Sequence, residues 1–210
     1  MPRWDPWVRL FHWSLALSVG FLLLSGATGI GFFDWHRVIG ELALSLVVFR
    51  LAWGAIGPAN ARLLSLMRGP RAVAAHVRHL AARDVPPEPG HNAAGGWAVL
   101  LMLALVGFQG LSGTLIADED EFVEGRFYGA LGSDAGDTLY RLHHLNAELL
   151  QIIVLVHVAM IAVYAVWGRR NLLLPMLHLR GSMANRRRLW LGAALATATG
   201  IGWWLIFGSA

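Results

Sequence analysis

The sequence predicts an all-α integral-membrane bundle, and three observations carry that prediction. Of its 210 residues 56% are hydrophobic and only 14% charged, with mean hydropathy +0.53, too little charge to clothe a water-soluble domain of this size. Five apolar runs are each long enough to cross about 30 Å of hydrocarbon. Of the 17 basic residues, all arginine, 11 gather in alternate loops between those runs.

The runs are Trp7 to Thr28, His36 to Ile56, Gly96 to Ala117, Leu142 to Trp167 and Leu189 to Phe207. In hydrocarbon every backbone N–H and C=O must be satisfied internally, so runs of this length are expected to be helices. The loop after the second run carries Arg62, Arg68, Arg71, Arg78 and Arg83, and the loop after the fourth carries Arg169, Arg170, Arg180 and Arg186 to Arg188. The opposite side has Arg37, Arg126 and Arg141 against Asp118, Glu119, Asp120, Glu121, Glu124, Asp134 and Asp137. The positive-inside rule then puts the N-terminus in the cytoplasm and the C-terminus outside. Such loops also account for the basic balance without nucleic acid, which is not an expected partner; membrane lipid is.

The first run has the outline of a leader peptide, with Arg3 and Arg9 ahead of it and Ser25, Gly26 and Ala27 behind. It is long for such a segment, and it is expected to remain as a span. Between the second and third runs, Gly69-Pro70-Arg71 opens a short helix over about 70–82, expected on the inner membrane surface, and Pro86 to Gly90 breaks the chain after it.

Cysteine is absent, which removes disulfides, iron–sulfur clusters and covalent haem attachment. Nine histidines then become the main candidate metal ligands. His143 and His157 on the fourth run are 14 residues apart. At 100° and 1.5 Å per residue they share a face to within about 40° and stand roughly 21 Å apart, so they serve two sites rather than one. His144 turns nearly to the opposite side from His157, so His143 is the expected ligand of the adjacent pair. The topology supplies partners at matching depth. His12, near the inner end of the first run, pairs with His157; His36, at the outer start of the second, pairs with His143. Two imidazoles on facing helices are what six-coordinate haem iron takes, so the expectation is two bis-histidine haem b groups in the first four spans, with the fifth span peripheral.

Ala16, Gly20, Gly40 and Ala147 follow the ligands on their faces and leave room for a flat ring, although small residues also serve plain helix packing. Arg50, 14 residues after His36, is expected near a haem propionate at the inner site; a snorkelling anchor is the alternative. Glu41 and Glu148 are intramembrane carboxyls, suited to a proton relay or to hydrogen bonding a neighbouring helix.

Together Val8-Arg9-Leu10-Phe11-His12-Trp13, His36-Arg37-Val38-Ile39-Gly40, Arg50-Leu51-Ala52-Trp53-Gly54, Gly90 to Trp97, and the His143 to His157 spacing resemble the bacterial cytochrome b561 family. That family is related to the b-type cytochrome subunit of nickel–iron hydrogenases. The resemblance spans most of the chain and implies a diheme core with the same four histidines as ligands, in one domain over 1–210. His144 stands where the family often has Glu. The acidic segment from Ala117 to Gly125 and the fifth span are similar to variants that work with a c-type cytochrome. His91 is a candidate to hydrogen-bond a propionate or a quinone carbonyl. His76, His79 and His178 are expected as solvated surface residues.

Bis-histidine ligation leaves no open position on the iron, which favours electron transfer over oxygen chemistry. The expected function is electron exchange between the membrane quinone pool and a periplasmic redox partner, such as a c-type cytochrome steered by the acidic outer loop, in the bacterial inner membrane. A quinone-coupled superoxide oxidase or a hydrogenase membrane anchor would use the same core. A histidine-lined metal or haem transporter is the non-redox alternative, although no pair of broken helices points to one.

Overall fold

In the computed structural model the described residues are 4–28, 33–86, 90–118, 123–177 and 186–208. Five helices among them are long and apolar enough to span a membrane. They are α1 (Pro6–Thr28), α2 (Phe33–Ile56), α4 (Ala93–Gly113), α5 (Ser133–Val166) and α7 (Arg186–Phe207). Two short helices, α3 (Pro70–Ala81) and α6 (Leu174–Leu177), lie in the connections that carry most of the arginines. Pro87 to Pro89, Glu119 to Glu121, His178 and Arg180 lie outside the described residues.

Local chemistry sets the helix ends. The Asp5 carboxylate accepts from the backbone N–H groups of Trp7 (3.0 Å) and Val8 (3.1 Å) and so caps α1, where Pro6 needs no donor partner. The same oxygen accepts from Trp53 Nε1 at 3.0 Å, which ties the start of α1 to the C-terminal end of α2. Asn92 caps α4 by accepting from Gly95 N at 2.7 Å, so that helix starts at Ala93, earlier than the apolar run suggests, and ends at Gly113 rather than Ala117. Beyond it the chain turns into a two-stranded hairpin, β1 (Ala117–Asp118) with β2 (Val123–Glu124). Gly125 allows the return: a Cβ there would fall 2.4 Å from Gly113 O.

α5 begins at Ser133, well before the Leu142 expected from hydropathy. Its 34 residues extend about 51 Å, longer than the hydrocarbon needs. The first turns, with Asp134 and Asp137, are polar and therefore project from the membrane; no proline interrupts them and the single Gly136 is tolerated, so the helix is continuous.

The closely packed seams are α1 on α2, α2 on α4, α4 on α5, and α7 on α2. Gly110 lets α4 approach α2, since a Cβ there would lie 2.9 Å from Leu44 Cβ. Asn146 on α5 donates to Leu105 O (3.0 Å) and to Gln109 on α4, so the buried amide in that seam is satisfied. Many large apolar side chains on the outer faces are exposed, Leu17, Leu155 and Val166 among them, as a lipid-facing surface requires. α1 and α5 are the two ends of the arc α1–α2–α4–α5, and they meet through histidines.

Candidate functional site

At one end of the bundle, His12 of α1 and His157 of α5 oppose their rings with centroids 6.4 Å apart and planes tilted by 54°. Metal–imidazole bonds are about 2.0–2.1 Å, and the ring centroid lies about 1.1 Å beyond the nitrogen, so two imidazoles on opposite sides of one ion have centroids roughly 6 Å apart. The observed separation has that value. Trp13 sets its edge against His12, ring to ring 5.1 Å. His12 Nδ1 is buried with no hydrogen-bond partner among the described residues.

Two further expected residues gather here. Arg50 is 2% exposed, and its Nη1 donates to Ala61 O at 2.9 Å. It is drawn inward by a loop carbonyl and does not snorkel to the headgroups. His91, just before α4, packs its ring edge to face with Trp4 at 4.6 Å. Burial pushes the His91 imidazole down to about 4, helped by the nearby charges of Arg50, His12 and His157. It is therefore a neutral hydrogen-bonding group beside the pair.

At the other end, α1, α2, α4 and α5 enclose a cavity of about 640 Å³. His36 and His143 both line it, with Gly40, Ala147, Glu41 and Gln109. The size suits a cofactor-scale ligand. Each imidazole is fixed by a serine of the adjacent helix: His36 Nδ1 lies 2.7 Å from Ser25 Oγ, and His143 Nδ1 lies 2.8 Å from Ser112 Oγ. Ser25 Oγ donates its one proton to Leu22 O (3.3 Å) and Ser112 Oγ donates to Gln109 O (3.1 Å). With its proton on that carbonyl, each Oγ can accept from Nδ1–H, the tautomer in which Nε2 keeps the lone pair that a metal needs. His144 borders the same cavity, but it is exposed and its ring leans on Tyr140 at 4.4 Å. His143, not His144, is the anchored member of the pair.

Glu41 forms ion pairs with Arg37 Nη1 (3.6 Å) and Arg126 Nε (3.9 Å). Sequence reasoning considered a relay or a helix-to-helix hydrogen bond for it and missed these pairs. Arg126 also donates to Phe207 O, which ties the end of α7 to the bundle. Glu148 is exposed at the cavity wall.

His76 departs from its expected solvated position. It is 5% exposed and hydrogen bonds Tyr164 OH, which also accepts from Asn92 Nδ2 at 3.0 Å. An amphipathic surface helix has one face against the bundle, and His76 is on that face, while His79 remains exposed. Among the described residues His, Asp and Glu do not come together in threes as a bare-ion site would require; the histidines come in pairs.

The four paired histidines fit haem: opposed imidazoles at one end, and a cavity with two serine-anchored imidazoles at the other. A family model described as prokaryotic cytochrome b561 matches residues 3–179. The chain belongs to that family. It is thus a multi-pass bacterial membrane b-type cytochrome of electron transfer. The cytochrome b561 match ends before α7, in keeping with a fifth span that contributes nothing to the lining of the histidine cavity. No curated protein and no solved structure matches the chain.

Proposed function

We propose that this cytochrome holds two b haems, an inner one between His12 and His157 and an outer one between His36 and His143, in a single domain over 1–210. On this reading it passes electrons between the quinone pool of the bacterial inner membrane and a periplasmic c-type cytochrome. The observation that carries it is the sorting of four histidines into two pairs at the two ends of the same four helices. The orientation, N-terminus in and C-terminus out, is supported by the arginine-rich loops on one side and the acidic segment 118–124 on the other.

Haem b held by these histidines would supply a one-electron couple. The protein's part is to hold and tune. Arg50, buried and already donating to a carbonyl, is the cation for an inner propionate, and neutral His91 is a hydrogen-bond partner for a propionate or a quinone carbonyl. Gly40 and Ala147 keep side chains out of the outer cavity that a ring would fill.

The test is the haem content and reduced spectrum of the purified protein. Two low-spin b haems per chain are expected, and a chain with one haem or none would refute the reading.

A further inference from the structure

We infer that Ser25 and Ser112 are positioning residues that orient the imidazoles of His36 and His143 and lower the reduction potential of the outer haem relative to the inner one. The inference rests on the two-haem reading above and deepens it.

The two outer histidines are seated in the same way on two different helices. Ser25 and Gly26 of α1 face His36 of α2; Ser112 and Gly113 of α4 face His143 of α5. The serine grips Nδ1 at 2.7 Å and 2.8 Å, and the glycine leaves room for Cε1, since a Cβ would lie 3.3 Å from it at residue 26 and 3.2 Å at residue 113. The sequence Leu-Ser-Gly occurs at both places, Leu24 to Gly26 and Leu111 to Gly113. Both serines are buried, and both pass their proton to a carbonyl three residues back in their own helix. With Nε2 of each histidine given to iron, Nδ1 carries the ring proton; the hydroxyl proton can then go to that carbonyl, and each Oγ offers the imidazole a lone pair in a site of low dielectric.

An acceptor on Nδ1–H holds the ring plane and raises the basicity of Nε2. A more basic ligand stabilises ferric over ferrous iron, so the potential falls. At the inner site His12 Nδ1 has no such acceptor among the described residues, so His12 there remains the weaker donor. The asymmetry makes the outer haem the more reducing of the two. Within the protein, electron flow from the outer haem to the inner one is then downhill.

The experiment uses the full-length haem-loaded protein in detergent, with the outer midpoint identified as the one lost in His143→Ala. Potentiometric titration is compared for wild type, Ser25→Ala, Ser112→Ala and Ser112→Thr, with Ser45→Ala, at a serine whose Oγ donates to Glu41 O, as the control. Each alanine is expected to move the outer ferric/ferrous equilibrium about fivefold toward ferrous, roughly 40 mV at 59 mV per decade, with the inner midpoint fixed. Low-spin electron paramagnetic resonance should show altered g-anisotropy in the same signal as the ring loses its stop. Ser112→Thr keeps the oxygen and should retain the wild-type potential and signal. Two haems with unmoved midpoints in the alanine variants, or a threonine variant that behaves as alanine does, would overturn the inference and leave the two-haem reading intact. Wild-type protein without haem would remove both.

Discussion

His12 and His157 oppose their rings 6.4 Å apart although they sit on the first and fourth membrane helices, at the inner end of one and late in the other. Helices α1 and α5 meet here through imidazoles rather than through a packed seam. His12→Ala and His157→Ala should therefore have the same effect. Each is expected to reduce haem content from two per chain to one, remove the same redox midpoint, and leave the other in place. Haem extraction with redox titration checks this; different midpoints lost by the two variants would mean that they do not share an iron.

The outer end distinguishes two neighbours. His143 is fixed by Ser112 Oγ, whereas His144 is exposed beside Tyr140. His143→Ala should abolish the outer haem, and His144→Ala should keep two haems per chain. The reverse pattern in the reduced spectra would reassign the ligand.

The spans, and the shared face of His143 and His157, were legible because they follow from two simple periodicities. Apolar runs report length, and 14 residues on an α-helix return to the same face. The helix ends were less legible. Hydropathy sees the membrane, not the cap, so it missed that Asn92 starts α4 early and that the polar turns from Ser133 continue α5 outward. Ser25 and Ser112 were passed over because a lone serine in an apolar helix has no distinctive pattern; only the repeated Leu-Ser-Gly could have flagged them. The Glu41–Arg126 ion pair depends on the segment after the hairpin, which periodicity cannot foresee, whereas Arg37–Glu41 is an i,i+4 pair that the helical period offers.

Asp5 concentrates three hydrogen bonds on one carboxylate oxygen, two from the start of α1 and one from buried Trp53. Asp5→Ala removes a helix cap and leaves an indole N–H unsatisfied. The combined cost is about 2–4 kcal/mol. It should appear as a lower melting temperature in detergent, with Asp5→Asn, which keeps an acceptor oxygen, much closer to wild type. Equal melting of Asp5→Ala and wild type would show that the cap is dispensable.

The acidic outer segment gives a test of the partner. Reversing the charge of Asp118, Asp120 and Glu124 should slow electron exchange with a cationic c-type cytochrome at low ionic strength, with the difference fading near 0.15 M salt, where screening acts over about 8 Å. Stopped-flow rates across a salt series measure it. Unchanged rates at low salt would remove this surface as the docking site.

His91 gives a pH dependence whose sign can be worked out. Its folded value is about 4, below the ordinary 6.5, because burial and the charges around it penalise the imidazolium. Between those values the unfolded chain binds a proton that the folded chain does not, so stability rises with pH across the window. The contribution is complete above about 6.5 and is lost as pH falls toward 4, with an upper bound of about 3 kcal/mol. His91→Gln, which does not titrate, should flatten the part of the melting-temperature profile between pH 4 and 6.5 that this imidazole supplies. Aligned above pH 6.5, the two profiles should separate as pH falls toward 4, with wild type losing the more. Parallel profiles would show that His91 is not held neutral in the folded protein, and with that the case for a neutral hydrogen-bonding group beside His12 and His157 would fall.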